Sequence, residues 1–304
     1  MKVALLKSLS KNSIEKIRKC GVDVVEGIDH NADIIFVRDK IEDFHKYKKL
    51  KWMNTTWAGV DKFLTEELKN SNVIITNSSG AYNTTVAEHA VSLMLALNRG
   101  LKPSILAQQE KEWKRFEDTD VDELYEKTVG IIGVGNIGER IACLCKAFEC
   151  KTIGITRSGK KSKYIDKMLP ISKLYELLKE SDYVVVSVPL TDETHHIIGK
   201  REFASMKKSA IIINIGRGPV IDENAMIAAL KTGKIRGAGL DVFEEEPLSA
   251  SSPLWKIKNV IITGHYAGYT PYHEDRVVDI FCKNLKLFVK GKKLINVVDK
   301  KKGY

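Results

Sequence analysis

The sequence predicts an α/β protein built on parallel sheets, with one domain inserted in another. Three observations carry this reading. Short apolar runs alternate with helical patterns along nearly the whole chain, a Gly-x-Gly-x-x-Gly turn stands between a strand and a helix, and the chain has 304 residues. That length suits two domains, each able to bury its own core. The apolar runs are residues 3–6, 34–37, 73–76, 129–132, 152–155, 183–188, 210–215, 237–242 and 260–263. They are continuously apolar rather than alternating, as in strands covered by helices on both faces. Right-handed crossovers would join them.

In chain order, residues 1–7 read as a first strand. Lys2 and Lys7 interrupt them too early for a secretory signal. Thr85-Val-Ala-Glu88 has the spacing of a capping box, with Thr85 as N-cap. After it, Val86, Ala90, Leu93, Met94 and Leu97 fall on one helical face, and Gly100 and Pro103 supply stop signals. A second sheet starts near Thr128. Residues 271–289 read as a helix that returns to the first unit. The expected organisation is an outer domain of residues 1–98 plus 271–304 around an inserted dinucleotide-binding domain of residues 99–270.

Composition narrows the function classes. The hydrophobic content is 43% and no run is long enough to span a membrane. The net charge is +10, but the lysines are spread along the chain and no nucleic-acid-binding motif accompanies them. A positive field that attracts phosphates and carboxylates is the expected consequence. The five cysteines, Cys20, Cys143, Cys145, Cys150 and Cys282, lack zinc spacing and read as reduced thiols of a cytoplasmic protein. No metal site is expected, and His89, His195, His196 and His273 read as structural.

The turn Gly133-Val-Gly135-Asn136-Ile137-Gly138 has a strand before it and a helix after it. In that context its glycines allow a tight turn and close approach of a pyrophosphate, which helix N–H groups and the helix dipole would bind. At the end of the next strand an NAD-binding chain usually has Asp or Glu. Here stand Thr156-Arg157-Ser158, which would favour a 2′-phosphate. NADPH is therefore the expected cofactor, with NAD possible.

Three polar residues follow apolar runs in the C-terminal half: Arg217 in Asn214-Ile-Gly-Arg-Gly218, Glu246 in Asp241-Val-Phe-Glu-Glu-Glu-Pro247, and His265 in Thr263-Gly-His-Tyr-Ala-Gly268. Loops at the carboxyl ends of parallel strands are where such sheets bind ligands. A fixed cation, a carboxylate and an imidazole there could clamp an anion and move a proton.

Together these motifs resemble the D-isomer-specific 2-hydroxyacid dehydrogenase family over nearly the whole chain. Val188-Pro189-Leu-Thr191 resembles its cofactor-bordering stretch, Ala58-Gly59-Val-Asp61 its carboxylate-holding turn, and Thr85-Val-Ala-Glu-His89 the start of its interdomain helix. The resemblance implies a Rossmann doubly wound parallel sheet inserted in a flavodoxin-like α/β outer domain. It implies reduction of a 2-oxo acid of the glyoxylate or hydroxypyruvate type to a D-2-hydroxy acid. His265 would be the proton donor, Glu246 would orient it and stabilise its charged form, and Arg217, Ala58 and Gly59 would bind the substrate. At the cofactor it places the glycine turn from Gly133 to Gly138, then Thr156, Arg157, Ser158, Val188, Pro189 and Thr194. It adds Ile215, Gly216, Arg217, Asp241, His265, Ala267 and Gly268. Trp57, Ser79 and Tyr82 would line the substrate pocket.

The resemblance also implies a homodimer through the helix at residues 85–99 and its neighbours; intrachain packing is the alternative use of that apolar face. Three positions depart from the family pattern: Gly264 replaces a proline, Tyr266 an aliphatic residue, and Ser187 a common histidine. A competing expectation is a dinucleotide-sensing corepressor, since relatives of this kind keep the fold; a turnover assay separates the two.

Overall fold

The computed structural model describes residues 1–117, 121–157, 159 and 161–304. They divide into two compact units, Met1–Tyr82 with Tyr269–Tyr304, and Asn83–Gly268. The boundary expected from the sequence falls after residue 98. In the structure the helix Asn83–Asn98 groups with the second unit because it packs on that unit's sheet: a Cβ added at Gly239 would stand 2.9 Å from Cβ of Leu93.

The first unit is a five-stranded parallel sheet of β1 (Lys2–Leu5), β2 (Asp23–Glu26), β3 (Ile34–Val37), β4 (Trp52–Thr55) and β5 (Ile74–Thr76). Its order, β2-β1-β3-β4-β5, is flavodoxin-like. Helices α1 (Lys11–Arg18) and α2 (Glu66–Asn70) connect strands, with Ser10 and Thr65 as N-caps. Sequence reading missed β2 and β4. Strand β2 is an edge with two exposed ends, so it carries no apolar signal. Strand β4 is fully buried but includes Asn54 and Thr55. These polar residues are tolerated because they are bonded. Trp52 donates to Thr76 Oγ1 at 2.8 Å, and Thr76 donates to Asn54 Oδ1 at 2.8 Å. The chain's last helix, His273–Val289, covers this sheet, with Phe281 and Phe288 against Trp52 at ring separations of 5.1 and 5.3 Å.

The second unit holds seven parallel strands: β6 (Thr128–Ile132), β7 (Lys151–Ile155), β8 (Lys167–Leu169), β9 (Tyr183–Val186), β10 (Ile211–Asn214), β11 (Gly237–Leu240) and β12 (Val260–Ile262). Their order is β12-β11-β10-β9-β6-β7-β8. The chain thus winds outward one way from β6 and then the other way from β9. This doubly wound order puts a switch point between β6 and β9, and ligands bind beyond the strand ends there.

Helix α3 (Asn83–Asn98) buries Val86, Ala90, Leu93 and Met94, whereas Leu97 is half-buried. It begins before Thr85, so the expected capping box is absent; the Thr85 hydroxyl turns to the carbonyl of Gly268 at 3.5 Å. Gly100, at φ +61°, ends that direction, and α4 (Leu101–Gln109) starts at once. Pro103 lies in the first turn of α4, where its missing N–H costs no helical bond. The remaining crossover helices are α5 (Asn136–Ala147), α6 (Leu174–Glu180), α7 (Lys200–Ser205) and α8 (Glu223–Lys231), which makes His273–Val289 α9. Among the described residues no helix is long and apolar enough to cross a membrane.

Candidate active site

At the switch point, β6 runs into the glycine turn. Gly133 has φ +102°, and a Cβ there would stand 2.8 Å from Val188 Cγ1 and 2.9 Å from the Ser187 carbonyl. Glycine is therefore required by both conformation and space. The turn is tied to its neighbours: Gly133 and Val134 donate to the Ile155 carbonyl at 3.0 and 2.9 Å. Ser187 donates from Oγ to the Gly133 carbonyl at 2.8 Å, so the serine at this position bridges the two loops. Next to them Gly135 caps α5 with open space around its Cβ position. The first-turn N–H groups of Ile137 and Gly138 meet no acceptor among the described residues. An anion would satisfy them.

Thr156 and Arg157 follow β7, while Ser158 and Lys160 lie outside the described residues. The Arg157 guanidinium contacts Glu193 at 3.2 Å. On the strand-end loop after β9, Thr194 accepts from Thr191 N at 2.8 Å and donates to Pro189 O at 2.6 Å, closing residues 189–194 into a compact turn.

Arg217, Glu246 and His265 lie on the loops after β10, β11 and β12, three of the four strands on one side of the switch point. The structure brings the imidazole and the carboxylate into contact: His265 Nδ1 is 2.7 Å from Glu246 Oε2. Glu246 Oε1 accepts from the Phe243 N–H at 3.2 Å, which fixes its other oxygen toward the ring. The arginine loop is pinned by Asn214, which accepts from Gly216 N at 3.2 Å and donates to Arg217 O at 3.1 Å. The next residue, Gly218, packs so tightly that a Cβ would fall 1.8 Å from the Phe243 carbonyl. The arginine and glutamate loops therefore touch backbone to backbone. A groove of about 640 Å³ bordered by Leu97, Lys102, Trp255 and Asn259 contains none of the trio.

A family model for the D-isomer specific 2-hydroxyacid dehydrogenase, NAD binding domain, matches residues 91–267. The chain belongs to the D-isomer specific 2-hydroxyacid dehydrogenase family. Relatives and solved structures agree with that placement. A glyoxylate reductase of Thermococcus gammatolerans is 36% identical, covering 93% of this chain and 86% of its own. A D-3-phosphoglycerate dehydrogenase of Methanocaldococcus jannaschii is 35% identical over 98% of this chain, which spans 59% of that relative's length. An NADPH-dependent glyoxylate/hydroxypyruvate reductase from Sinorhizobium meliloti, solved with NADP and sulfate, superposes with a TM-score of 0.86. It is 27% identical and covers 100% of this chain and 99% of that one.

In this family member the residue that builds the histidine loop is Asp241, at the end of β11 and almost fully buried. Its backbone carbonyl accepts from His265 N at 2.8 Å. Its Oδ1 accepts from the Thr263 hydroxyl at 2.6 Å and from Tyr266 N at 3.2 Å, and its Oδ2 from Ala267 N at 3.1 Å. His265 itself has φ +53°. A left-handed conformation costs a non-glycine residue about 1–2 kcal/mol, and these four bonds hold the strained loop in place. Gly264 has no atom within 4 Å of its Cβ position, so the departure from proline opens no clash.

Sequence reasoning placed Asp241 at the cofactor and missed that its carboxylate is largely occupied by this loop. It also missed Asn214 and Glu193. The polar residue closing an apolar strand was the available signal for Asn214. Glu193 had none, since its contact is set by the fold. His196, which reads as structural, pairs with Glu244 at 2.6 Å, a partner 48 positions away.

On the other unit, Ala58 and Gly59 follow β4, and their N–H groups meet no acceptor among the described residues. Asn77 donates to the Ala58 carbonyl at 2.8 Å and fixes the turn. Beside it Trp57 donates to Arg38 O at 2.8 Å and stacks on Tyr82 at 6.3 Å.

Proposed function

We propose that the chain reduces a small 2-oxo acid of the glyoxylate or hydroxypyruvate type to the D-2-hydroxy acid, with NADPH preferred over NADH. The observation that carries this reading is the 2.7 Å contact between His265 and Glu246 on loops beside that of Arg217. A bound nicotinamide supplies the hydride that passes between its C4 and C2 of the substrate. Asn136, Ile137 and Gly138 would hold its pyrophosphate at the N-terminus of α5, with Gly133 and Gly135 keeping that surface clear. The parts assigned to Thr156, Val188, Pro189, Thr194, Ile215, Gly216, Asp241, Ala267 and Gly268 are to border the rest of it.

Arg217 pairs with the substrate carboxylate and polarises the keto oxygen, a task suited to a planar, permanently charged fork. His265 delivers a proton from Nε2 to the forming alkoxide. Glu246 receives Nδ1–H and so fixes both tautomer and ring orientation. The N–H groups of Ala58 and Gly59 are the donors that the first unit would offer a carboxylate.

NADPH is favoured by Arg157 and by the lack of a carboxylate at the end of β7, and the S. meliloti neighbour holds NADP. A homodimer is part of the same reading: Leu101, Ile105 and Leu106 on α4 and Trp113 beyond it are exposed apolar groups. So is a cytoplasmic location, consistent with five free cysteines.

The test is steady-state turnover over a panel of 2-oxo acids, with NADPH and NADH in parallel and the configuration of each chiral product assigned. His265→Ala should lower turnover by about 10²–10⁴-fold while cofactor affinity is kept. An L-product, or full turnover in that variant, would remove this reading.

A further inference from the structure

Behind the loop that carries His265 stands a second histidine that the mechanism above does not use. His89 projects from α3, is mostly buried, and places Nε2 2.9 Å from the Thr263 hydroxyl. The same hydroxyl lies 2.6 Å from Asp241 Oδ1. A hydroxyl has one proton to give. A carboxylate can only accept, so Thr263 donates to Asp241 and must accept from His89. His89 is thereby fixed as the tautomer protonated on Nε2. Burial holds its pKa below the ordinary histidine value, with Asp241 opposing, so near neutral pH this is the uncharged donor. The ring also meets Tyr266 edge-on at 5.4 Å. Thr263 and Tyr266 flank the Gly264-His265 pair, so His89 braces the loop on both sides of the strained residue.

We propose that His89 is a positioning residue for His265, acting through Thr263 and Asp241. The chain of contacts is His89 Nε2–H to Thr263, Thr263 to the Asp241 carboxylate, and that carboxylate to the N–H groups of Tyr266 and Ala267. Loss of the His89 donor leaves the Thr263 hydroxyl free to rotate away from Asp241. The carboxylate then loses its shortest bond, and the left-handed turn at His265 loses its brace. His89 itself touches neither substrate nor reacting atoms in this scheme. The inference rests on His265 being the proton donor.

The experiment compares His89→Ala, His89→Gln and Thr263→Val with the unaltered full-length chain, each alone and combined with His265→Ala. A misplaced reacting group can cost about 100-fold. We expect kcat to fall about 10-fold to 100-fold in His89→Ala and Thr263→Val, with KM for the 2-oxo acid and Kd for NADPH within about twofold. His89→Gln, whose side-chain amide can donate to Thr263, should restore most of kcat. In the His265→Ala background the His89 and Thr263 changes should cost nothing more, because the group they position is gone. A kcat within twofold of the unaltered chain in His89→Ala overturns the proposal. An equal loss in both backgrounds overturns it too, since that is the signature of general destabilisation. Should His89→Ala not fold, Thr263→Val keeps the helix side chain and reads the same bond. Full turnover in His265→Ala alone would overturn the parent reading instead, which separates the two failures.

Discussion

Glu246 Oε2 sits 2.7 Å from His265 Nδ1, and this contact leaves Nε2 as the ring nitrogen not engaged by the carboxylate. On the proposed mechanism Nδ1–H is given to the carboxylate, and Nε2 is the nitrogen that carries the transferable proton. Glu246→Gln keeps the shape and removes the charge. Turnover in the reductive direction should fall about 10-fold to 100-fold, less than the ~10²–10⁴-fold expected for removing the acid itself. Affinity for NADPH should be unchanged. Steady-state kinetics beside a fluorescence titration of the cofactor read both quantities, and unaltered kcat would show that the carboxylate is dispensable.

Gly218 is the point where the arginine loop meets the glutamate loop. A methyl group there would collide with the Phe243 backbone at 1.8 Å, a contact that neither loop can relieve by turning a side chain. Gly218→Ala should separate Arg217 from Glu246 and destabilise the fold by about 1–3 kcal/mol, the usual cost of overpacking. Its signature is a raised KM for the 2-oxo acid together with a lowered kcat. Urea unfolding and the kinetic constants measure the two effects. A variant with unaltered stability would mean that the loops move apart freely.

Most of the strands, and the position of Arg217, Glu246 and His265 on strand-end loops, were legible in the sequence because buried parallel strands are continuously apolar and their loops carry the polar groups. Legibility failed where tertiary contacts override local pattern. Strand β4 hides behind Asn54 and Thr55: Asn54 accepts from Thr76, 22 positions away, and the Thr55 hydroxyl accepts from Trp57 N. Thr85 follows the capping-box pattern, yet its hydroxyl bonds to Gly268, a partner 183 positions away. Asp241 and Glu246 share one acidic motif, and only the fold distinguishes the carboxylate buried under the loop from the one facing the imidazole.

Arg157 contacts Glu193 at 3.2 Å, and both side chains are largely exposed. If Arg157 receives the 2′-phosphate, Glu193 competes with that phosphate for the guanidinium. An exposed ion pair of this kind contributes about 0.2–1 kcal/mol. Glu193→Gln should therefore tighten NADPH binding by a factor of roughly two to five, with NADH little affected. Arg157→Ala should weaken NADPH specifically, by about tenfold or more, since a charge-assisted bond to phosphate is lost. Calorimetric titration of both cofactors against both variants gives the comparison. Equal losses for NADPH and NADH in Arg157→Ala would assign the arginine to general cofactor binding and remove the basis for the preference.

Two half-buried histidines set a pH window for stability. His89 is held below the ordinary histidine value by burial, against the pull of Asp241. His273 is held low by burial, then by Lys7 and Arg38, with Glu274 opposing. Such groups bind protons more readily in the unfolded chain, so stability rises with pH through their range. Their contribution is fully present above about pH 6.5, the unfolded value, and is lost as pH falls toward the lower folded values. Carboxylates held low act in a separate window: Asp33, bonded to Lys51 and to Lys2 N–H, loses its contribution only below about pH 4. Urea unfolding at several points from about pH 7.5 to pH 5 should thus show a decline already under way before the carboxylates titrate. His89→Gln with His273→Gln should flatten that decline. A slope identical to that of the unaltered chain would place the responsible groups elsewhere.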